Sequence, residues 1–228
     1  MASLDGEDVS LMSLFRDRRD AGKVLAAQVV NAIDDPDTLV LALPRGGVPV
    51  AVEVAQALQA PMDVFVVRKL GLPGEEELAI GAIASGGVQV LNYGLIAQLQ
   101  VPDELIERVA AEQARELAHR ELLYRGNRRL IPLQGRAVVL VDDGLATGAT
   151  MLAAVRSVRA QRPKRIVVAV PVASAAACDY IREEVDEIIC AATPEPFFSV
   201  GAWYEDFSQT SDAEVRNLLA ESGSKPPV

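Results

Sequence analysis

The run Val138-Val139-Leu140-Val141-Asp142-Asp143-Gly144-Leu145-Ala146-Thr147-Gly148-Ala149-Thr150 carries the densest chemistry in the chain. Four apolar residues lead to two adjacent carboxylates, and a compact Gly/Thr loop then opens a helix-favouring stretch from Met151 to Ala160. The first backbone N–H groups of a helix lack intrahelical partners and attract an oxyanion. Gly144 and Gly148 permit close approach of a ligand, and Thr147 and Thr150 add hydroxyl donors. The loop therefore suits a terminal monophosphate, while Asp142 and Asp143 suit sugar hydroxyls and favour a nearby divalent cation. Magnesium keeps several waters and leans on ligand phosphates, so two carboxylates need not form a full cage. The run lacks the Gly-Lys-Ser/Thr ending of a Walker A loop, and its spacing is not G-x-G-x-x-G. An acidic turn with a helix cap explains parts of it but leaves the complete run without a reason.

Two further clusters follow apolar runs. Pro44-Arg45-Gly46-Gly47 closes the stretch 38–44 and its continuation. A glycine pair there can turn sharply and present N–H groups to an oxyanion, with Arg45 adding a charge-assisted contact. A plain strand-to-helix turn has the same composition. Arg68-Lys69 ends the run 62–70. Two cations there could stabilise an anionic group or form a strand-end surface pair. Phe197, Phe198, Trp203, Tyr204 and Phe207 gather in one short segment. They form either a platform for a planar base, led by Trp203 and Tyr204, or a small hydrophobic subcore.

These groups need a frame, and the hydrophobic patterning supplies one. Residues 13–31 read as a helix with Leu14, Ala21, Leu25 and Val29 on one face. Apolar strands are expected at 38–44, 62–70, 137–141, 165–173 and 187–192. Helices are expected at 50–58, with Pro49 in the first turn, and at 102–125, 151–160, 174–184 and 212–222. The helix at 102–125 is charged, with Leu105, Val109 and Leu117 on its apolar side. Residues 71–77 read as a turn-rich loop with Glu75, Glu76 and Glu77 as solvated acids, and 78–92 as a hairpin bending at Gly86-Gly87. The alternation predicts an α/β fold with an open, mainly parallel sheet flanked by helices. One domain is expected over 13–221, with flexible ends at 1–12 and 222–228.

Composition narrows the partners. A length of 228 residues fits one domain. The net charge of -10 and the pI of about 4.7 oppose a broad nucleic-acid footprint. Apolar runs are strand-length, so no membrane span is expected. The start MASLDGEDVSLMSLF lacks the features of a secretory signal, which points to a cytoplasmic protein. Cys178 and Cys190 read as buried free thiols. A lone histidine, His119, cannot build a histidine zinc cluster.

VVLVDDGLATGAT resembles the phosphoribosyl pyrophosphate (PRPP) signature of type I phosphoribosyltransferases. The resemblance extends from about Leu39 to Phe207 and is strongest to uncharacterised bacterial proteins with this domain. It implies that Asp142 and Asp143 contact the ribose hydroxyls and that Ala146, Thr147, Gly148, Ala149 and Thr150 wrap the 5-phosphate. It makes Arg45, Gly46 and Gly47 the pyrophosphate loop, often of unusual peptide geometry in the family. Arg68 and Lys69 then precede a flexible hairpin loop at 71–87, and a small C-terminal hood near 193–207 recognises the acceptor. Arg45, Lys69, Asp142 and Asp143 are the residues to which the resemblance assigns catalysis.

The implied reaction is magnesium-dependent transfer of the 5-phosphoribosyl group from PRPP to a nitrogenous base, with loss of pyrophosphate and inversion at C1. Magnesium would meet Asp142 and Asp143 through water or substrate. A homodimer is implied as well. The alternative is a non-catalytic PRPP-binding regulator. Ala146 departs from branches that act on 6-oxopurines, which usually carry an acid there. That leaves adenine, orotate, uracil, xanthine-like variants or an unrelated amine. Phe15, Asp17, Arg18 and Gly22 also resemble an N-terminal helix of family members, which helix packing suffices to explain. Arg120, Arg125, Arg128 and Arg129 read as a solvated basic face, with the border of a phosphate site or a subunit interface as the alternatives.

Overall fold

A computed structural model describes residues 13–222. The loose ends expected at 1–12 and 222–228 lie outside these residues, except Ser222, which caps the last helix. The elements run α1 (Arg18–Ala32), β1 (Thr38–Ala42), α2 (Gly47–Leu58), β2 (Met62–Val64), β3 (Val67–Leu72), β4 (Glu75–Ala84), β5 (Val88–Leu91) and α3 (Tyr93–Leu99). They continue with α4 (Asp103–Arg125), β6 (Ala137–Val141), α5 (Ala149–Arg159), β7 (Arg165–Val172), α6 (Ala175–Arg182), β8 (Glu187–Ala192) and α7 (Asp212–Glu221).

Five strands form one sheet in the order β2-β1-β6-β7-β8, with every pairing parallel. Every residue of β1 and of β6 is buried, as continuous apolar runs require when both faces are covered. Alternation assigns the faces. Val40, Ala42, Val139 and Val141 pack with α1, α2 and α4, while Leu39, Leu41, Val138 and Leu140 pack with α5 and α6. The chain leaves β1 toward β2 on one side and later returns to place β6 on the other. The strand order thus reverses between β1 and β6, and ligands of open α/β sheets bind in the crevice beyond the strand ends at such a point.

The structure corrects several sequence expectations. The first helix starts at Arg18, because the Asp17 carboxylate accepts from the Asp20 N–H at 2.8 Å and caps it. Residues 13–17 run alongside the C-terminal segment instead, with Phe15 bridged to Tyr204 and Leu14 exposed. The run 62–70 is two strands in two sheets. Phe65 N–H donates to Ala42 O at 2.8 Å, holding it to the parallel sheet, whereas Val66 N–H turns to Ser85 Oγ at 2.9 Å. From there β3, β4 and β5 form an antiparallel sheet. The expected loop at 71–77 is the tip of its first hairpin, turning at Pro73-Gly74 between Leu72 and Glu75. The expected bend at Gly86-Gly87 joins β4 to β5, and both glycines have positive φ.

Helix α3 is absent from the expected elements. Asn92 caps it, accepting from Leu95 N–H at 3.1 Å, but its seven residues bury none fully and set Leu95 and Ile96 only partly against the core, too short a pattern to betray it. Among the described residues, no helix is long and apolar enough to cross a membrane.

Candidate functional site

Because Ala42 and Val141 are register partners, the loops after β1 and β6 leave the sheet side by side. The backbone of the first loop nearly touches the second. A Cβ added to Gly46 would overlap the Asp143 carboxylate, and one on Gly47 would lie 2.7 Å from Val141 O. The two glycines expected to form an oxyanion loop are therefore also the residues that let the loops meet. The Pro44–Arg45 peptide is cis.

Asp142 and Asp143 sit half-buried at the mouth of β6. Asp143 N–H donates to Asp142 Oδ1 at 2.9 Å, and Tyr204 Oη donates to Asp143 O at 2.5 Å. Arg18, from the first turn of α1, donates through Nε to Asp143 Oδ2 at 2.8 Å. Burial, and then the charge of Asp143, pushes Asp142 well above the usual carboxylate range. Burial raises Asp143 too, opposed by the Arg18 hydrogen bond. Two acids share one arginine here, so the pocket favours an added cation or hydroxyl donors.

The next loop is stitched to the end of β7. Leu145 N–H donates to Val172 O at 2.9 Å, and Ser174 Oγ donates to Ala146 O at 2.8 Å. Gly148 has φ +76° and supplies no side-chain cap to α5. Ala146, Thr147, Ala149 and Thr150 are exposed around it. Together these residues present the start of a helix to an anion. A cavity of about 450 Å³ opens there between the antiparallel sheet and α5, lined by Lys69, Asn92, Thr147, Ala149, Thr150 and Arg156 among others.

The remaining candidates scatter. Lys69 faces that cavity, whereas Arg68 borders a smaller one of about 110 Å³ with Pro44, Arg120 and Thr150. Strand alternation separates the pair. Arg68 Nε donates to Gln113 Oε1 of α4 at 3.0 Å. The Arg45 guanidinium turns toward α7, with Nη1 3.9 Å from Asp212 Oδ1. Tyr124 Oη donates to that same Asp212 oxygen at 2.6 Å. The Arg45 side chain is thus drawn away from the acid pair.

Trp203 and Tyr204 are both 6% exposed and pack with Phe15, Ala21 and Val172. Both rings are covered within this small aromatic cluster. Tyr204 instead fixes the Asp143 backbone. The expected basic face also needs correction at Arg125, which is buried against Asp63. Both thiols are free; Cys178 is buried and Cys190 partly so.

Arg18 is the functional-site residue that sequence reasoning leaves to helix packing. Its forewarning is the resemblance of Phe15, Asp17, Arg18 and Gly22 to an N-terminal helix of family members. Among the described residues, no cluster of three or more His, Cys, Asp or Glu is placed to hold a metal ion.

Comparison with known proteins identifies the family. The sequence pattern described as the phosphoribosyl transferase domain matches residues 69–202, and the chain belongs to that family. It is 47% identical over 208 residues to the "Putative phosphoribosyl transferase Rv0571c" of Mycobacterium tuberculosis, covering 91% of this chain and 47% of that protein. The chain therefore spans about half the length of the curated relatives it matches. The crystal structure of TT1426 from Thermus thermophilus superposes with a TM-score of 0.82 at 44% identity, covering 91% of this chain and 98% of that one. A hypothetical protein from Neisseria gonorrhoeae, crystallised with bound ppGpp, shares the fold at TM-score 0.50 and 17% identity, over 93% of this chain and 97% of its own. The fold is that of the type I phosphoribosyltransferases.

Proposed function

We propose that the chain binds PRPP across the β1/β6 crevice and transfers its 5-phosphoribosyl group to a nitrogenous base, releasing pyrophosphate. The observation that carries this reading is the meeting of three ligand elements at the switch point. These are the Arg45–Gly47 loop, the acid pair pressed against Gly46, and the uncapped start of α5.

The start of α5, with Thr147 and Thr150, takes the 5-phosphate. That remote contact fixes the sugar and supplies orientation. Asp142 and Asp143 accept from the ribose hydroxyls. Their charge also offsets the positive character that grows at C1 as the bond to pyrophosphate breaks. Lys69 and the backbone of Gly46 would supply donors to anionic oxygens, whereas Gly47 N–H already donates to Leu43 O at 3.1 Å. The β3–β4 hairpin lines one side of the phosphate cavity, where closure over a bound ligand would exclude water.

Magnesium fits this donor set only as an ion brought largely by its substrate. Two carboxylates are present, and one is already engaged by Arg18. When bound, the ion neutralises charge on the departing pyrophosphate. Asp142 and Asp143 would hold it through water or through the substrate's own oxygens. Ala146 places no acid beside the acceptor, which supports a base other than a 6-oxopurine. A homodimer built from single-domain subunits belongs to the same reading, and light scattering on the purified chain measures it.

Pyrophosphate release from Mg-PRPP, with and without a pool of nucleobases, is the deciding experiment, with products identified by mass. A base-dependent nucleotide is the expected result. Tight PRPP binding without turnover would turn the reading toward a regulator. Absence of both binding and turnover would end it.

A further inference from the structure

The N-terminal run, for which helix packing is a sufficient sequence-level account, converges on one guanidinium. Phe15 is bridged to Tyr204, and their rings lie 5.5 Å apart. Asp17 caps α1, which starts the helix at Arg18. Gly22 lets α1 approach α2 closely, since a Cβ there would lie 2.9 Å from Val50 O. These three residues set the height and rotation of the first turn. Arg18 then reaches across 125 positions of sequence to Asp143.

Arg18 is held on three sides. Its Nε donates to Asp143 Oδ2 at 2.8 Å, its Nη1 donates to Ser208 O at 2.7 Å, and its plane lies 3.9 Å from the Phe207 ring centroid. Only 11% of the Arg18 side chain and 16% of the Asp143 side chain remain exposed. Its Nε would also stand 3.3 Å from a Cβ on Gly46, so Arg18 lies where both ligand loops meet. A surface ion pair swings freely and is worth little. This one is fixed by a planar fork with two hydrogen-bond directions and a stacked face, a geometry that lysine cannot reproduce.

We propose that Arg18 is a positioning residue for ligand binding, holding the Asp143 carboxylate over Gly46 in the orientation that meets the ribose hydroxyls. This rests on the PRPP reading above and adds to it a residue outside the segment 69–202 that matches the family pattern. Arg18 occupies Oδ2, and on this reading Oδ1 is the oxygen that serves the ligand. Without it, the like charge of Asp142 would turn Asp143 away, and the ligand would have to restore the orientation at the expense of its own binding. The loss should therefore fall on affinity more than on turnover at saturation.

The test compares Mg-PRPP binding by calorimetry, and kcat against KM, for the wild type, Arg18→Met, Arg18→Lys, Asp143→Asn and the double variant Arg18→Met/Asp143→Asn. Circular dichroism confirms that each is folded. Arg18→Met should weaken PRPP binding about tenfold, the scale of one charge-assisted hydrogen bond, with kcat within about threefold of wild type. Arg18→Lys should fall between, because charge returns without the fork. In the Asp143→Asn background, Arg18→Met should add less than about twofold, since the two residues act as one unit.

Wild-type affinity in folded Arg18→Met, or an equal loss with and without the Asp143 carboxylate, would overturn the inference while leaving the PRPP reading intact. If Arg18→Met does not fold, Arg18→Lys decides, and unchanged affinity there overturns it. A wild-type chain that does not bind Mg-PRPP removes the reading and the inference together.

Discussion

Two buried acid sites, Asp63 with Arg125 and Asp142 with Asp143, solve the same desolvation problem in opposite ways. Burial raises the carboxyl at Asp63, as it does at the other two. Around Asp63 the protein supplies every partner itself. Arg125 Nε lies 3.0 and 2.9 Å from the two Asp63 oxygens, Nη1 donates to Glu121 at 2.6 Å, and Nη2 donates to Val64 O and Ser85 Oγ. Asp63 also accepts from Val64 N–H at 2.8 Å. Only 3% of either side chain is exposed. At the end of β6, by contrast, two partly buried carboxylates share one arginine, and 16% of the Asp143 side chain remains exposed. A structural ion pair is complete without a ligand, whereas the acid pair is short of positive partners until one arrives.

The contrast is broken most directly at the open site. Asp142→Asn with Asp143→Asn should leave a folded chain and reduce Mg-PRPP affinity on the order of a thousandfold, as the loss of two charge-assisted hydrogen bonds of about 2 kcal/mol each implies. Calorimetry reads this out, and retained affinity would show that the ribose is held elsewhere. At the closed site, Arg125→Met should cost about 3 kcal/mol of stability in urea denaturation, because Asp63 is left buried and unpaired. Its folded fraction should bind PRPP like the wild type. A changed affinity with unchanged stability would reverse the roles assigned to the two sites.

Ser85→Ala sharpens the picture further. It strips the acceptor from Val66 N–H and one contact from Arg125, and should cost about 1.5 kcal/mol in the same assay.

The smallest effect is on pH dependence. Carboxyls raised in the folded state bind more protons than their unfolded counterparts, so their contribution to stability falls as pH rises from the ordinary carboxylate value of about 4 toward the folded value. Below that window the contribution is full. The Asp142→Asn/Asp143→Asn chain should therefore lose less stability than the wild type across the window, by under about 1.4 kcal/mol per pH unit for each group. Parallel urea midpoints for the two chains would remove the acid pair from this balance. PRPP affinity in the wild type should move the other way and tighten as the acids ionise.

Much of this frame is legible in the sequence. The run from Val138 to Thr150 announces a strand, a pair of acids and a helix start, since apolar periodicity and loop chemistry are written in neighbouring residues. What escapes depends on distance. Nothing near Arg18 signals a partner 125 residues away. The run 62–70 is largely apolar up to Arg68, so the transfer from one sheet to the other at Phe65-Val66 leaves no break in its pattern. Trp203 and Tyr204 suit a platform or a subcore equally well by composition. The packing of Phe15, which joins them from far upstream, is what covers both rings. Arg45 likewise answers to Asp212, which local reading of Pro44–Gly47 could not supply.

Asp143 is held by Arg18 from before the first strand and by Tyr204 from after the last. This has a bearing on synthesis. A growing polypeptide can make β1, β6 and the helix-opening loop long before Tyr204 and Ser208 have left the ribosome. Until then Asp143 lacks the Tyr204 hydrogen bond, and Arg18 lacks its anchor at Ser208 O.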